Sequence, residues 1–118
     1  MVEGSCHCGK VRIAIDTAPE EVTDCNCSIC RRYGTLWAYY HPKHVHITEA
    51  VPADTYLWGT REILFHRCAE CGCVTHWTAA NDPTWPRMGV NVRLMAPEVL
   101  AAARVHHHDG ASMGGSTH

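Results

Sequence analysis

The chain is 118 residues long, room for one domain and too little for a multidomain enzyme. Ten Lys+Arg against twelve Asp+Glu leave a net charge of −2, so there is no basic face for nucleic acid. Hydrophobic residues make up 46%, which suits an ordinary folded chain and excludes wholesale disorder.

The amino-terminal Met1–Ile15 carries Glu3, two cysteines and alternating polar residues where a secretory segment would be continuously apolar. Leu36–Tyr40 and Val99–Ala103, the longest strictly apolar runs, hold five residues each, against the roughly 20 of a membrane span. A cytoplasmic protein without a membrane partner is expected. Lys10–Asp16 alternates, with Val11, Ile13 and Ile15 on one face, and reads as a half-buried strand. Ser28–Tyr33 reads as a short helix stopped at Gly34, and Leu36–His41 as an aromatic strand closed by Pro42. Val45–Thr48 alternates again; Thr55–Trp58 and Glu62–Arg67 flank Gly59 as a hairpin. Val74–Thr78 and Met88–Arg93 read as extended, and Pro97–Arg104 as a helix with proline in its first turn. Many short strands and one or two short helices predict a mainly β single domain over 1–109. The small, polar residues 110–118 read as a flexible tail.

The unusual entries in the composition are eight cysteines and ten histidines. The cysteines fall into tight groups: Cys6 and Cys8; Cys25, Cys27 and Cys30; Cys68, Cys71 and Cys73. In a reducing compartment such grouping points to metal rather than to disulfides, and zinc is the default ion for thiolate sets. Cys6, Cys8, Cys68 and Cys71 can supply the four ligands of a closed, structural tetrahedral site. Each of these pairs is followed by glycine, which lets the backbone turn its amides toward the sulfurs. Buried free cysteines are the alternative.

The middle group offers three thiolates within six residues, the last of them at the start of a short helix. Three ligands leave a tetrahedral zinc one position short, which is the mark of a catalytic ion. Cys73 or a histidine closing that position would make the site structural instead. Three thiolates quench most of the Lewis acidity of Zn²⁺, so the set favours ionising a small-molecule thiol over hydrolysis. Arg31 and Arg32 could hold an anionic thiol or merely form a solvated face. Trp37, Tyr39, Trp77 and Trp85 could wall a cleft or fill the core.

Cys-His-Cys-Gly-Lys-Val (6–11), Cys-Asn-Cys-Ser-Ile-Cys-Arg (25–31) and His-Arg-Cys-Ala-Glu-Cys-Gly (66–72) resemble the glutathione-dependent formaldehyde-activating enzyme family, also called the centromere protein V type. Asn91-Val92-Arg93-Leu94 and His108-Asp109-Gly110 extend the resemblance over almost the whole chain. It implies a zinc-containing β-tent, a complex sandwich or barrel of short strands. It also implies Cys6, Cys8, Cys68 and Cys71 on a structural zinc, with Cys25, Cys27 and Cys30 on a second, catalytic one. The implied reaction is carbon–sulfur lyase chemistry, in which a glutathione-like thiol adds to an aldehyde such as formaldehyde. Cys73 stands outside the family's seven-cysteine pattern. A different class of function is a non-catalytic zinc module that binds a protein partner, both cysteine groups then being structural. Methionine sulfoxide reduction on the same fold calls for a late cysteine, and none follows Cys73.

Overall fold

A computed structural model describes residues 1–59 and 61–112. In chain order its elements are β1 (Val2–Ser5), β2 (Val11–Ile15), β3 (Glu21–Cys25), α1 (Cys30–Tyr33), β4 (Trp37–Tyr40), β5 (Val45–Glu49), β6 (Ala53–Leu57), β7 (Ile63–Cys68), β8 (Val74–Ala79), β9 (Met88–Asn91), α2 (Pro97–Ala101) and β10 (Arg104–His108). Single 3-10 turns cover Pro42–His44, Val92–Leu94 and Gly110–Ser112. No helix among the described residues is long and apolar enough to cross a membrane.

The strands form two sheets. A three-stranded antiparallel sheet has the order β1-β2-β5, and a seven-stranded sheet the order β10-β3-β4-β9-β8-β7-β6. The large sheet is antiparallel except at its β10–β3 edge, where Arg104–His108 runs parallel to Glu21–Cys25. The expected hairpin about Gly59 is present as the β6–β7 pair, and β2 buries Val11, Ile13 and Ile15 as its alternation requires.

Side chains alternate across each strand, so one sheet feeds two cores. Ile13 and Ile15 of the small sheet pack with Val22, Ala38, Met88 and Val90 of the large one, which closes the space between the sheets. Neighbouring residues on the same strands face the other way. Trp37, Phe65 and Trp77 form a second core with Ile63, Val74 and the cysteines of the middle group. Trp37 and Trp77 are fully buried; cutting either back to alanine costs about 3–5 kcal/mol.

Three sequence expectations needed revision. Met88–Arg93 is extended only to Asn91, because the Asn91 side-chain carbonyl accepts from the amides of Arg93 and Leu36 and bends the chain into a 3-10 turn. Pro97–Arg104 is helical only to Ala101, since Arg104 already pairs with Glu21 in β10. The helix expected over Ser28–Tyr33 begins at Cys30, although it does end at Gly34, whose left-handed backbone (φ 67°) sends its amide to the Cys30 carbonyl. Within 110–118, Gly110–Ser112 is tied to the body by the Ala111 amide, which donates to Asn26 Oδ1 at 2.9 Å. Residues 113–118 lie outside the described residues.

Candidate functional site

Two groups of sulfurs assemble. Cys6 and Cys8 sit in the turn between β1 and β2, while Cys68 ends β7 and Cys71 lies in the turn before β8. The four Sγ atoms lie within 4.8 Å of one another. Cys6–Cys8 and Cys8–Cys68 are each 3.6 Å apart. A tetrahedral ion with metal–sulfur bonds of about 2.3 Å separates its sulfurs by about 3.8 Å, so the spacing suits zinc, whereas a disulfide needs about 2.05 Å. None of the eight cysteines is joined in a disulfide.

The local backbone explains this convergence. Each cysteine pair closes a hairpin: the Cys6 amide donates to the Val11 carbonyl at 3.0 Å, and the Cys68 amide to the Cys73 carbonyl at 2.9 Å. Gly9 (φ 82°) and Gly72 (φ 79°) occupy left-handed backbone at the tips, and their amides return to the carbonyls of Cys6 and Cys68. Lys10 and Glu70, one from each turn, form an ion pair that joins the two. The group therefore lies where a turn of the small sheet meets a turn of the large one.

Its electrostatics favour thiolate at two of the four sulfurs. The amides of Cys73 and Cys8 donate to the Cys71 sulfur and bring its thiol down to about 5. Burial resists ionisation of Cys6, but the Val11 amide, 3.3 Å from its sulfur, and the Cys8 thiol outweigh it, so that thiol is lowered as well. At Cys8 the Lys10 amide favours the anion, yet desolvation and three neighbouring sulfurs push the thiol up to about 12. One sulfur's ionisation hinders the next unless a cation neutralises the set.

The second group is local and drier. The Sγ atoms of Cys25, at the end of β3, Cys27 and Cys30, at the start of α1, lie within 4.8 Å of one another. All three residues are 1–2% exposed. No fourth His, Cys, Asp or Glu atom joins them at that distance among the described residues. Cys73 and the histidines thus stay out of both groups. The Cys30 amide donates to Cys27 Sγ at 3.4 Å, and the Trp37 indole N–H donates to Cys30 Sγ at 3.4 Å. Burial nonetheless pushes the Cys25 and Cys30 thiols upward. The short helix alone does not ionise the set; only a bound cation would offset the cost of three buried thiolates.

Trp37, Phe65 and Trp77 belong to the same packed cluster as the triad, and the half-buried Tyr33, Tyr39 and Trp58 pack against that cluster. Arg87 lies 3.9 Å above the Tyr39 ring.

Asn26, which the sequence reading passed over, anchors the loop between Cys25 and Cys27. Its amide donates to the His108 carbonyl and its Nδ2 to Asp109 Oδ1, each at 3.1 Å. Parallel pairing of β10 with β3 brings this distant segment alongside. An asparagine between two cysteines, together with the His108-Asp109-Gly110 motif, was the available signal. Other expected candidates lie elsewhere. Arg32 donates to the Ser28 carbonyl, and Arg31 is exposed. His44 and His46 each donate to Asp16 at 2.9 Å, and His107 pairs with Asp24.

Known proteins resemble this chain in fold and in sequence. A Rhodobacter sphaeroides protein of known crystal structure superposes with a TM-score of 0.70 at 28% identity, covering 88% of this chain and 99% of that one. A Halomonas elongata protein, provisionally named a glutathione-dependent formaldehyde-activating enzyme, is 29% identical over 102 residues. That alignment takes in 75% of this chain, which spans about 60% of that relative's length. The family model described as glutathione-dependent formaldehyde-activating enzyme matches residues 1–108. Because that match spans nearly the whole chain, the chain belongs to the glutathione-dependent formaldehyde-activating enzyme family.

Proposed function

We propose that the protein is a zinc-dependent enzyme that adds a small thiol to an aldehyde such as formaldehyde, a carbon–sulfur lyase-type reaction. The observation that carries this reading is the buried triad of Cys25, Cys27 and Cys30, three sulfurs without a fourth ligating side chain among the described residues. In this reading Cys6, Cys8, Cys68 and Cys71 hold a structural zinc, and the triad holds a catalytic one.

Zinc bound by the triad supplies a coordination position for a thiol sulfur and the positive charge that favours its thiolate. The protein's own contribution is positional. The amide of Cys30 and the indole of Trp37 fix the sulfurs of Cys27 and Cys30 by hydrogen bonds, as outer-shell partners do for metal ligands. The rings of Trp37, Phe65 and Trp77 keep bulk water from the nucleophile. Overall, the thiol S–H bond breaks and a carbon–sulfur bond forms. The carbonyl π pair moves to oxygen, which takes up a proton, so the product is a hydroxymethyl thioether with no net redox change.

The test is exchange NMR with ¹³C-formaldehyde and glutathione, using zinc-loaded protein and its Cys27→Ser variant. Faster interconversion of free and S-hydroxymethyl glutathione with the parent protein, lost in Cys27→Ser, supports the reading. Equal rates with the parent, the variant and no protein reject it in favour of a non-catalytic zinc module.

A further inference from the structure

A cavity of about 260 Å³ lies at the Ile63–Ala79 end of the β7–β8 hairpin. The cavity shares two of its lining residues, Ile63 and Trp77, with the packed cluster that contains the triad of Cys25, Cys27 and Cys30. Its outer wall is Trp85, which is 50% exposed, and its inner wall is Trp77, which is 1% exposed.

The lining is charged as well as aromatic. Glu62 and Asp82 both face it, together with Asn81, and no Lys, Arg or His lines it among the described residues. Neither carboxylate takes part in an ion pair among the described residues. Asp82 spends one oxygen on the Thr84 amide and hydroxyl, at 2.9 and 2.6 Å. Its other oxygen and the Glu62 carboxylate remain as acceptors. Indole faces and carboxylates both attract a cation, and both repel a carboxylate-bearing ligand. The volume falls below the roughly 300–1,000 Å³ of sites that enclose drug-sized ligands, so the cavity suits a small group rather than a whole tripeptide.

We propose that the cavity formed by Trp77, Trp85, Glu62 and Asp82 binds the ammonium end of the thiol substrate, which makes a small aminothiol a better substrate than a neutral or anionic thiol. This rests on the thiol–aldehyde reading above and specifies its substrate class.

The test compares three thiols with formaldehyde by exchange NMR: 2-(dimethylamino)ethanethiol, 2-mercaptoethanol and 3-mercaptopropionate. The tertiary amine of the first is cationic at neutral pH and cannot cyclise onto the aldehyde. The expected kcat/KM order is ammonium over alcohol by about tenfold, with the carboxylate last, and the preference falls to about onefold in the Glu62→Gln/Asp82→Asn variant. Both positions are exposed, and an unchanged Tm certifies the fold of the variant. Catalysis without a preference among the three thiols overturns this inference and leaves the thiol–aldehyde reading standing. If no thiol is turned over, that reading fails, and the cavity is judged by binding alone. Indole fluorescence titration with 2-(methylthio)ethylammonium and 2-(methylthio)ethanol then shows either the tenfold preference for the cation or equal binding, which overturns the inference.

Discussion

The two cysteine groups make opposite demands on the fold, and exchanging one sulfur in each measures the difference. Cys8 and Cys68, in the four-sulfur group, are separated by 60 residues, whereas the triad runs only from Cys25 to Cys30. Closing a loop costs about (3/2)RT ln n, so a metal clip across 60 residues relieves the folded state of about 2 kcal/mol more than one across five. Both residues are buried, with Cys68 at 0% and Cys27 at 2% exposure, so the penalty for placing a serine hydroxyl there is similar. For a domain of this size about 1 kcal/mol corresponds to roughly 3–6 °C in Tm. In zinc-replete buffer Cys68→Ser should therefore melt about 6–12 °C lower than Cys27→Ser. Calorimetry of both variants, with zinc content measured on the same samples, checks this. Equal losses of Tm, or a larger loss for Cys27→Ser, would refute the reading of the four-sulfur group as the long-range clip.

Other outcomes follow from single positions. A Cβ on Gly89 would sit 2.0 Å from Trp77 Nε1 and 2.5 Å from Cδ1. Gly89→Ala must displace a buried indole, and urea unfolding should register a loss of about 1–3 kcal/mol. His76, 3% exposed beneath a stacked His66 ring at 4.2 Å, is held neutral by burial, its pKa brought down to about 3. Its folded value lies below its unfolded one, so the unfolded chain binds the extra proton. The stability at stake is intact above about pH 6.5 and is lost as pH falls toward 3. His76→Gln should flatten the pH dependence of stability in that window by up to about 1.4 kcal/mol per pH unit, as read from urea midpoints. An unchanged slope would show that His76 does not carry this acid sensitivity. Cys73 belongs to neither sulfur group, so Cys73→Ser should bind as much zinc as the parent by elemental analysis, while Cys71→Ser should bind less.

Much of this was legible before any coordinates. Alternation in Val11, Ile13 and Ile15 marks a strand because side chains with period two must share a buried face, and β2 buries that face. Gly59 marked the β6–β7 turn. The cysteine spacings named the triad and each pair of the other group, since thiolates two or three residues apart can reach a common point without long-range information. The strands that escaped were β1, β3 and β10, which are short and polar: Glu21–Cys25 reads EVTDC and Arg104–His108 reads RVHHH. Their extended state is imposed by neighbours in the sheet, and Arg104–His108 takes it by pairing with a segment 83 residues earlier. Propensity yields to such pairing.

The amino-acid sequence by itself determined which residues could bind a metal, because thiolate chemistry and close spacing are local properties. Tertiary structure alone decided what surrounds those sulfurs. It joined Cys6 and Cys8 to Cys68 and Cys71 across two sheets, left Cys73 outside, and buried the middle triad in one cluster with Trp37, Phe65 and Trp77. It also set Glu62 and Asp82 beside two indoles at the edge of that cluster. Such arrangements depend on strand order and register, which bring together residues that no local pattern connects.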